Sequence, residues 1–184
     1  DYRILIGNGQ HSRSGEAEAI ETFLQFRVDG LILAGPVVTE GEMERAAKSA
    51  GVVAIGRTLS SLEIDTVNCD DVVGARLVVE HLAGLGHRRI SHIDGGSGAG
   101  AAGRVQGYDA TMRELGLGDH ISIARGDFSE SGGYHGADEL LTRNPRPTAI
   151  FSANDLSAAG ALGRLGSLAR FGGPLADLAG VNLG

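Results

Sequence analysis

The chain has 184 residues, 16 basic and 23 acidic, for a net charge of −7, and 42% of it is hydrophobic. That length and apolar share suffice for a core without staples, the lone Cys69 excludes an intramolecular disulfide, and no run nears the roughly 18 apolar residues of a membrane span. Glycine numbers 30 where average usage gives about 13, yet only four prolines and recurrent Val, Ile and Leu runs exclude collagen and low-complexity disorder.

Taken in chain order, Ile4–Ile6, Gly30–Leu33, Val52–Ile55, Arg89–Ile93, Ile121–Ala124 and Thr148–Phe151 are brief apolar runs, mostly β-branched and bounded by Gly or Pro, and predict buried strands. Between them, Ala17, Ile20, Phe23 and Leu24 recur at spacings of three and four and predict a helix. Ala75, Val78, Val79 and Leu82 predict another, with Gly86 as its stop. Residues 104–115, 131–142 and 155–165 continue the helical pattern. Strand-helix alternation of this length predicts an α/β fold with parallel sheets covered on both faces and right-handed crossovers. The rhythm breaks near Asp65-Thr66-Val67-Asn68, which reads as a crossing between two lobes, residues 1–67 and 68–184.

Charge restricts the partners. Residues 1–67 carry 6 basic and 10 acidic side chains and residues 68–184 carry 10 and 13, so neither part supplies the basic surface that phosphate binding needs. The chain itself is not expected to hold DNA.

Ligands of parallel sheets sit beyond the carboxyl ends of the strands. Four loops gather there: Gly7–Gly15, Gly56–Ser61, Gly95–Gly103 and Ser152–Asp155. Residues 98–103 spell a literal G-x-G-x-x-G, with Asp127 beyond the next strand, and so offer a dinucleotide reading. Against it, Gly95, Gly96 and Ser97 intervene after Asp94, where the fingerprint needs its first glycine directly off the strand; a flexible cleft loop is the competing assignment. Arg104 opens the next helix with a guanidinium suited to hydroxyls, carboxylates or phosphates, or to a neighbouring acid. Of Asn154 and Asp155 one is expected as a helix cap, which leaves Asn154 available to a polar ligand. Phe128 is a platform for a sugar or base face, or a core residue. His81, His87 and His92 match no metal spacing, and Ser97 lacks the alternate glycines of a nucleophile elbow, so no catalytic residue, metal or cofactor is assigned.

Six segments together carry a resemblance. They are Arg27-Val28-Asp29-Gly30-Leu31-Ile32-Leu33, Asp70-Asp71-Val72-Val73-Gly74-Ala75, residues 81–90, Arg104-Val105-Gln106-Gly107-Tyr108, Gly126-Asp127-Phe128 and residues 147–155. In order and spacing, from about residue 2 to 162, they are similar to the LacI/GalR family of bacterial transcriptional regulators. The resemblance implies a two-lobed, periplasmic-binding-protein-like core that closes on a sugar or nucleoside-like effector. It further implies a cytoplasmic homodimer that reaches operator DNA through a helix-turn-helix outside this chain. By the same resemblance Arg104, Asn154 and Phe128 contact the effector, with Arg57 and Asn8 as further cleft residues, while Gly98 and Gly100 stand where relatives place polar side chains. The first strand and helix of the core are not present before Asp1, and the likeness weakens after Leu162, so the resemblance makes the chain the middle of a longer one. Two rivals share the fold class: a periplasmic solute-binding receptor of a sugar transporter, and an NAD(P)-dependent enzyme using the 98–103 loop.

Overall fold

Strand β1 (Gly30–Ala34) turns Leu31 inward at 5% exposure and Ile32 outward at 73%, the alternation that an extended chain imposes on successive side chains. The computed structural model describes residues 3–9, 12–170 and 181–182. The chain divides into two compact units, Asp1–Cys69 and Asp70–Gly184.

In the first unit helix α1 (Arg13–Gln25) precedes β1, and helix α2 (Glu40–Ala47) links it to β2 (Gly51–Ile55) and β3 (Asp65–Val67). The three strands are parallel in the order β1-β2-β3, with Leu31 opposite Val52 and Ile55 opposite Val67. Ile20 of α1 and Met43 and Ala46 of α2 close over Leu31, Val52, Ala54 and Ile64. Within the stretch read as a crossing, Asp65–Val67 finds a ladder on β2, and the boundary between the two units follows it after Cys69. Ile4–Ile6, expected as a strand, is not one: it pairs with none of the described strands, and Ile4 and Ile6 are 83% and 92% exposed.

Helix α2 was not foreseen. Its start is fixed by a capping box: the Thr39 hydroxyl accepts from the Glu42 amide at 3.3 Å, and the Glu42 carboxylate accepts from the Thr39 amide at 2.7 Å.

The second unit runs α3 (Asp71–Gly84), β4 (Ile90–Ile93), α4 (Ala101–Glu114), β5 (Ile123–Ala124), α5 (Glu130–Thr142), β6 (Ala149–Ser152), α6 (Asp155–Arg170) and β7 (Val181–Asn182). Its parallel sheet has the order β5-β4-β6-β7. Both faces are covered. Ile90, Ala149 and Phe151 pack under α3 and α4 with Ala75, Val79, Leu82, Tyr108 and Met112; Ile93, Ala124 and Ile150 pack with Ala137, Leu140 and Ala161 of α5 and α6. Strand β5 forms only two ladder pairs, Ile123 and Ala124, and Tyr108 reinforces the same edge. Its hydroxyl donates to the Ile90 carbonyl at 2.7 Å and accepts from the Ser122 amide at 3.0 Å, and burial pushes its pKa up to about 12.

Part of the excess glycine serves close packing in this unit. A Cβ on Gly107 would lie 2.3 Å from the Val72 carbonyl oxygen, and one on Gly160 would lie 1.8 Å from that of Glu130. Helices α3 and α4, and α5 and α6, approach closely because these positions carry no side chain.

Candidate functional site

The chain leaves β4 for β5 on one side and then returns across to β6 on the other, so the carboxyl ends of β4 and β6 form the switch point at which such sheets take ligands. Three loops meet there, residues 94–100, 125–129 and 153–155, and the half-buried Asp94 and the exposed Asp127 tie them down. Asp94 Oδ1 accepts from the amides of Gly96 at 3.0 Å and Gly126 at 2.8 Å. Asp127 Oδ1 accepts from the Ser129 hydroxyl at 2.5 Å and amide at 3.0 Å, which holds its carboxyl below the ordinary aspartate value, the hydroxyl contributing most.

Phe128 sits on this edge with φ 64°, a left-handed conformation that a non-glycine residue adopts only when its surroundings impose it. Its ring lies on the 95–98 loop: a Cβ on either Gly95 or Gly98 would be 2.3 Å from a ring carbon. The guanidinium of Arg104 stands 5.5 Å from the ring centroid, within cation–π range, and Arg104 Nη2 pairs with Asp71 Oδ1 at 2.9 Å. About a quarter of each side chain of that pair remains exposed, 28% and 23%. Helix α4 begins at Ala101, so Arg104 lies at the end of its first turn.

Asn154 is the cap of α6. Its Oδ1 accepts from the Ser157 amide at 2.9 Å, and its Nδ2 donates to the Phe128 carbonyl at 3.0 Å. The expectation that capping would leave Asn154 wholly to a ligand is therefore narrowed: one N–H and one lone pair remain. Arg104, Phe128 and Asn154 are thus joined through Phe128.

The G-x-G-x-x-G segment has a different use from cradling phosphate. Gly98 makes room for the Phe128 ring, Gly100 has φ 78° and would put a Cβ 2.5 Å from the Asp71 carboxylate, and Gly103 would put one 2.9 Å from Asp71 Cβ. Asp71, which the sequence did not single out as a site residue, is what Gly100, Gly103 and Arg104 share. Its signal lay only in the Asp70-Asp71 pair at the start of α3.

In the first unit Arg57 and Asn8 lie on strand-end and helix-entry loops. Arg57 Nη1 donates to the carbonyls of Val38 and Pro36, so it braces the loop after β1. The same loop is held by Glu16, which accepts from the Val37 and Val38 amides at 2.7 and 3.0 Å. Glu40 Oε1 accepts from the Ser60 hydroxyl at 2.9 Å and the Ser61 amide at 2.5 Å, which lowers its pKa, the Ser60 hydroxyl contributing most. Asn8 is exposed between Gly7 and Gly9, whose missing side chains let the segment lie against Phe23 and Glu16.

Among the described residues no group of three or more His, Cys, Asp or Glu could hold a metal ion, and no helix is long and apolar enough to cross a membrane. His92 is fully buried instead: Nδ1 bonds to the Phe151 carbonyl at 2.9 Å, the ring stacks on Phe151 at 4.5 Å, and Nε2 has no partner among the described residues.

These features define a two-unit α/β protein whose second unit gathers an arginine, an aromatic ring and an amide at the strand ends. Residues 3–176 match the family described as periplasmic binding proteins and sugar binding domain of LacI family, and the chain belongs to that family. The match runs past Leu162, where the sequence's own motifs weaken. The chain is 34% identical over 165 residues to the HTH-type transcriptional regulator GalR of Escherichia coli K12, covering 88% of this chain and 48% of GalR. It is 32% identical over 164 residues to the HTH-type transcriptional repressor CytR of the same strain, covering 88% and 48%. The chain therefore spans about half the length of the curated relatives it matches. A LacI transcriptional regulator from a Rhodococcus species superposes with a TM-score of 0.81 at 33% identity, covering 87% of this chain and 59% of that one. A LacI family regulator from Enterococcus faecium with bound ribose gives 0.74 at 25% identity, covering 83% and 58%. The family is defined by binding rather than catalysis, which leaves the NAD(P)-dependent enzyme reading without support.

Proposed function

We propose that this chain is the effector-binding core of a LacI-type transcriptional regulator, taking a sugar or similar small polar molecule and passing its occupancy to an operator-binding helix-turn-helix elsewhere in a cytoplasmic homodimer. The observation that carries the effector reading is Arg104, charge-fixed by Asp71 and set over the Phe128 ring. An aromatic face packs against the apolar face of a sugar ring, and a guanidinium presents several N–H donors in a rigid fork to its hydroxyls. Arg104, Phe128 and Asn154 are assigned as effector contacts of the second unit, and Arg57 and Asn8 as contacts offered by the first.

The family also takes in periplasmic binding proteins, so a transport receptor is the rival. Relatives that are HTH-type regulators, matched at 32–34% identity, favour the regulator. Effector binding can shift operator affinity only through different affinities for two conformations, which sets the form of the test. A thermal-shift screen of ribose, galactose and nucleosides is run on the chain and on Arg104→Ala. Stabilisation by one ligand that Arg104→Ala abolishes supports the assignment; equal shifts in both proteins remove Arg104 from the site.

A further inference from the structure

At the opposite end of the second unit's strands, where β4, β5 and β6 begin, lies a cavity of about 220 Å³ walled by Arg89, Arg143, His120 and Asp119, with Ser91 and Ser122 beneath them. It is smaller than the pockets of about 300 Å³ and upward that hold drug-sized ligands. The size suits an ion or a single functional group.

The geometry points to a second, separate site for a small oxyanion, either free phosphate or the phosphate group of an ester. Ser91 is 2% exposed, lines this cavity, and its hydroxyl has no hydrogen-bond partner among the described residues. The neighbouring polar groups are already committed. Arg143 donates to Ser122 Oγ at 2.6 Å, to the Ile123 carbonyl at 2.9 Å and to Glu139, so it supplies fixed positive charge rather than a free fork. Arg89 uses its Nε on the Arg146 carbonyl at 2.7 Å, which orients the guanidinium, and it makes no ion pair with any described acid. Both Arg89 Nη groups and the Ser91 hydroxyl are therefore donors without acceptors at one cavity, and the side chain of His120 adds a third group that can donate. Asp119 is the one carboxylate on the wall, and it is exposed at the rim. Donors in a rigid guanidinium fork beside a hydroxyl match the tetrahedral oxygens of phosphate.

The test is an amide NMR titration of the full 184-residue chain with sodium phosphate, and separately with ribose 5-phosphate, against sodium chloride at matched ionic strength. Saturable shifts at Ser91, Ser122 and Arg143 are expected, weakened at least tenfold by Arg89→Ala and several-fold by Ser91→Ala, and unchanged by Arg104→Ala. Tighter binding of the ester assigns a phosphorylated metabolite; equal binding assigns the free ion. Shifts that chloride reproduces, or that Arg104→Ala removes, overturn the site, as does the lack of any saturable shift. Should Arg89→Ala not fold, Ser91→Ala decides alone: binding equal to that of the unaltered chain overturns the proposal.

Discussion

The ring of Phe128 fills the space that a side chain on Gly98 would need, since a Cβ at that position would come within 2.3 Å of ring carbon Cε2. A glycine loop that spells a phosphate motif in sequence is thus the seat of an aromatic ring. Replacing Gly98 by Ala should push the ring aside rather than unfold the protein, since a ring can move where a backbone cannot. Replacing Gly107 by Ala meets the Val72 carbonyl at 2.3 Å and Ala75 Cβ at 2.9 Å, with no flexible side chain to yield. Gly107→Ala is expected to cost about 1–3 kcal/mol, or more if α3 and α4 cannot separate, and Gly98→Ala less. Denaturant unfolding of both variants checks the order, and the reverse order would remove the distinction.

His92 predicts acid sensitivity. Burial, as the main cause, lowers its pKa from 6.5 to about 4, with the Phe151 carbonyl and Asp94 opposing and Arg104 assisting. The unfolded chain therefore binds a proton between those values while the folded chain does not, so stability falls as pH drops from about 6.5 towards 4. At about 1.4 kcal/mol per pH unit the loss approaches about 3 kcal/mol. His92→Phe keeps an aromatic ring in the stack with Phe151 and should flatten stability against pH across that window. Urea midpoints at pH 7, 6 and 5 decide it; parallel declines in both proteins would place the sensitivity elsewhere.

How much of this was legible in sequence depended on whether the information was local. Strands β1, β2, β4 and β6 announce themselves by short apolar runs because their burial is repeated along the chain. Ile4–Ile6 has the same look and is no strand, because a ladder partner is a property of the rest of the fold. Arg104 and Phe128 could be placed by motif and by their position beyond strand ends. Asp71, the partner that fixes Arg104, could not, since ion pairing between the start of α3 and the first turn of α4 is settled by helix packing. Helix α2 has few inward positions, and its only strong local sign was Thr39 followed three residues later by Glu42.

That capping box gives a prediction for the first unit. Glu42 pairs with Arg13 at 3.0 Å and accepts from Thr39, and the Arg13 hydrogen bond, followed by those of Thr39, holds its pKa down to about 2 from 4.5. A carboxylate with a lowered folded pKa contributes stability above pH 4.5 and loses it as pH falls towards 2. Thr39→Ala should destabilise α2 by about 1 kcal/mol at neutral pH. Glu42→Gln should remove this group's share of the decline below pH 4.5. Circular dichroism of the two variants at pH 7 and pH 3 separates the contributions; an unchanged decline in Glu42→Gln would assign it to other carboxylates.

Asn154 joins the cap of α6 to the conformation of Phe128, and two substitutions pull the two apart. Asn154→Ala loses both the cap to the Ser157 amide and the bond to the Phe128 carbonyl, an expected cost of about 1–2 kcal/mol. Asn154→Asp keeps an oxygen for the Ser157 amide, at a helix N-terminus that favours negative charge, so most of the stability should persist. It offers no N–H to the Phe128 carbonyl, however, and sets a carboxylate against it. Phe128 holds its left-handed conformation only while its surroundings impose it, so losing that tie should release the ring from Arg104. The expected result is near-normal unfolding for Asn154→Asp together with several-fold weaker binding of whichever sugar or nucleoside stabilises the unaltered chain, read by calorimetry. Binding undiminished in Asn154→Asp would show that the glycine seat beneath Phe128 is enough to orient the ring without Asn154.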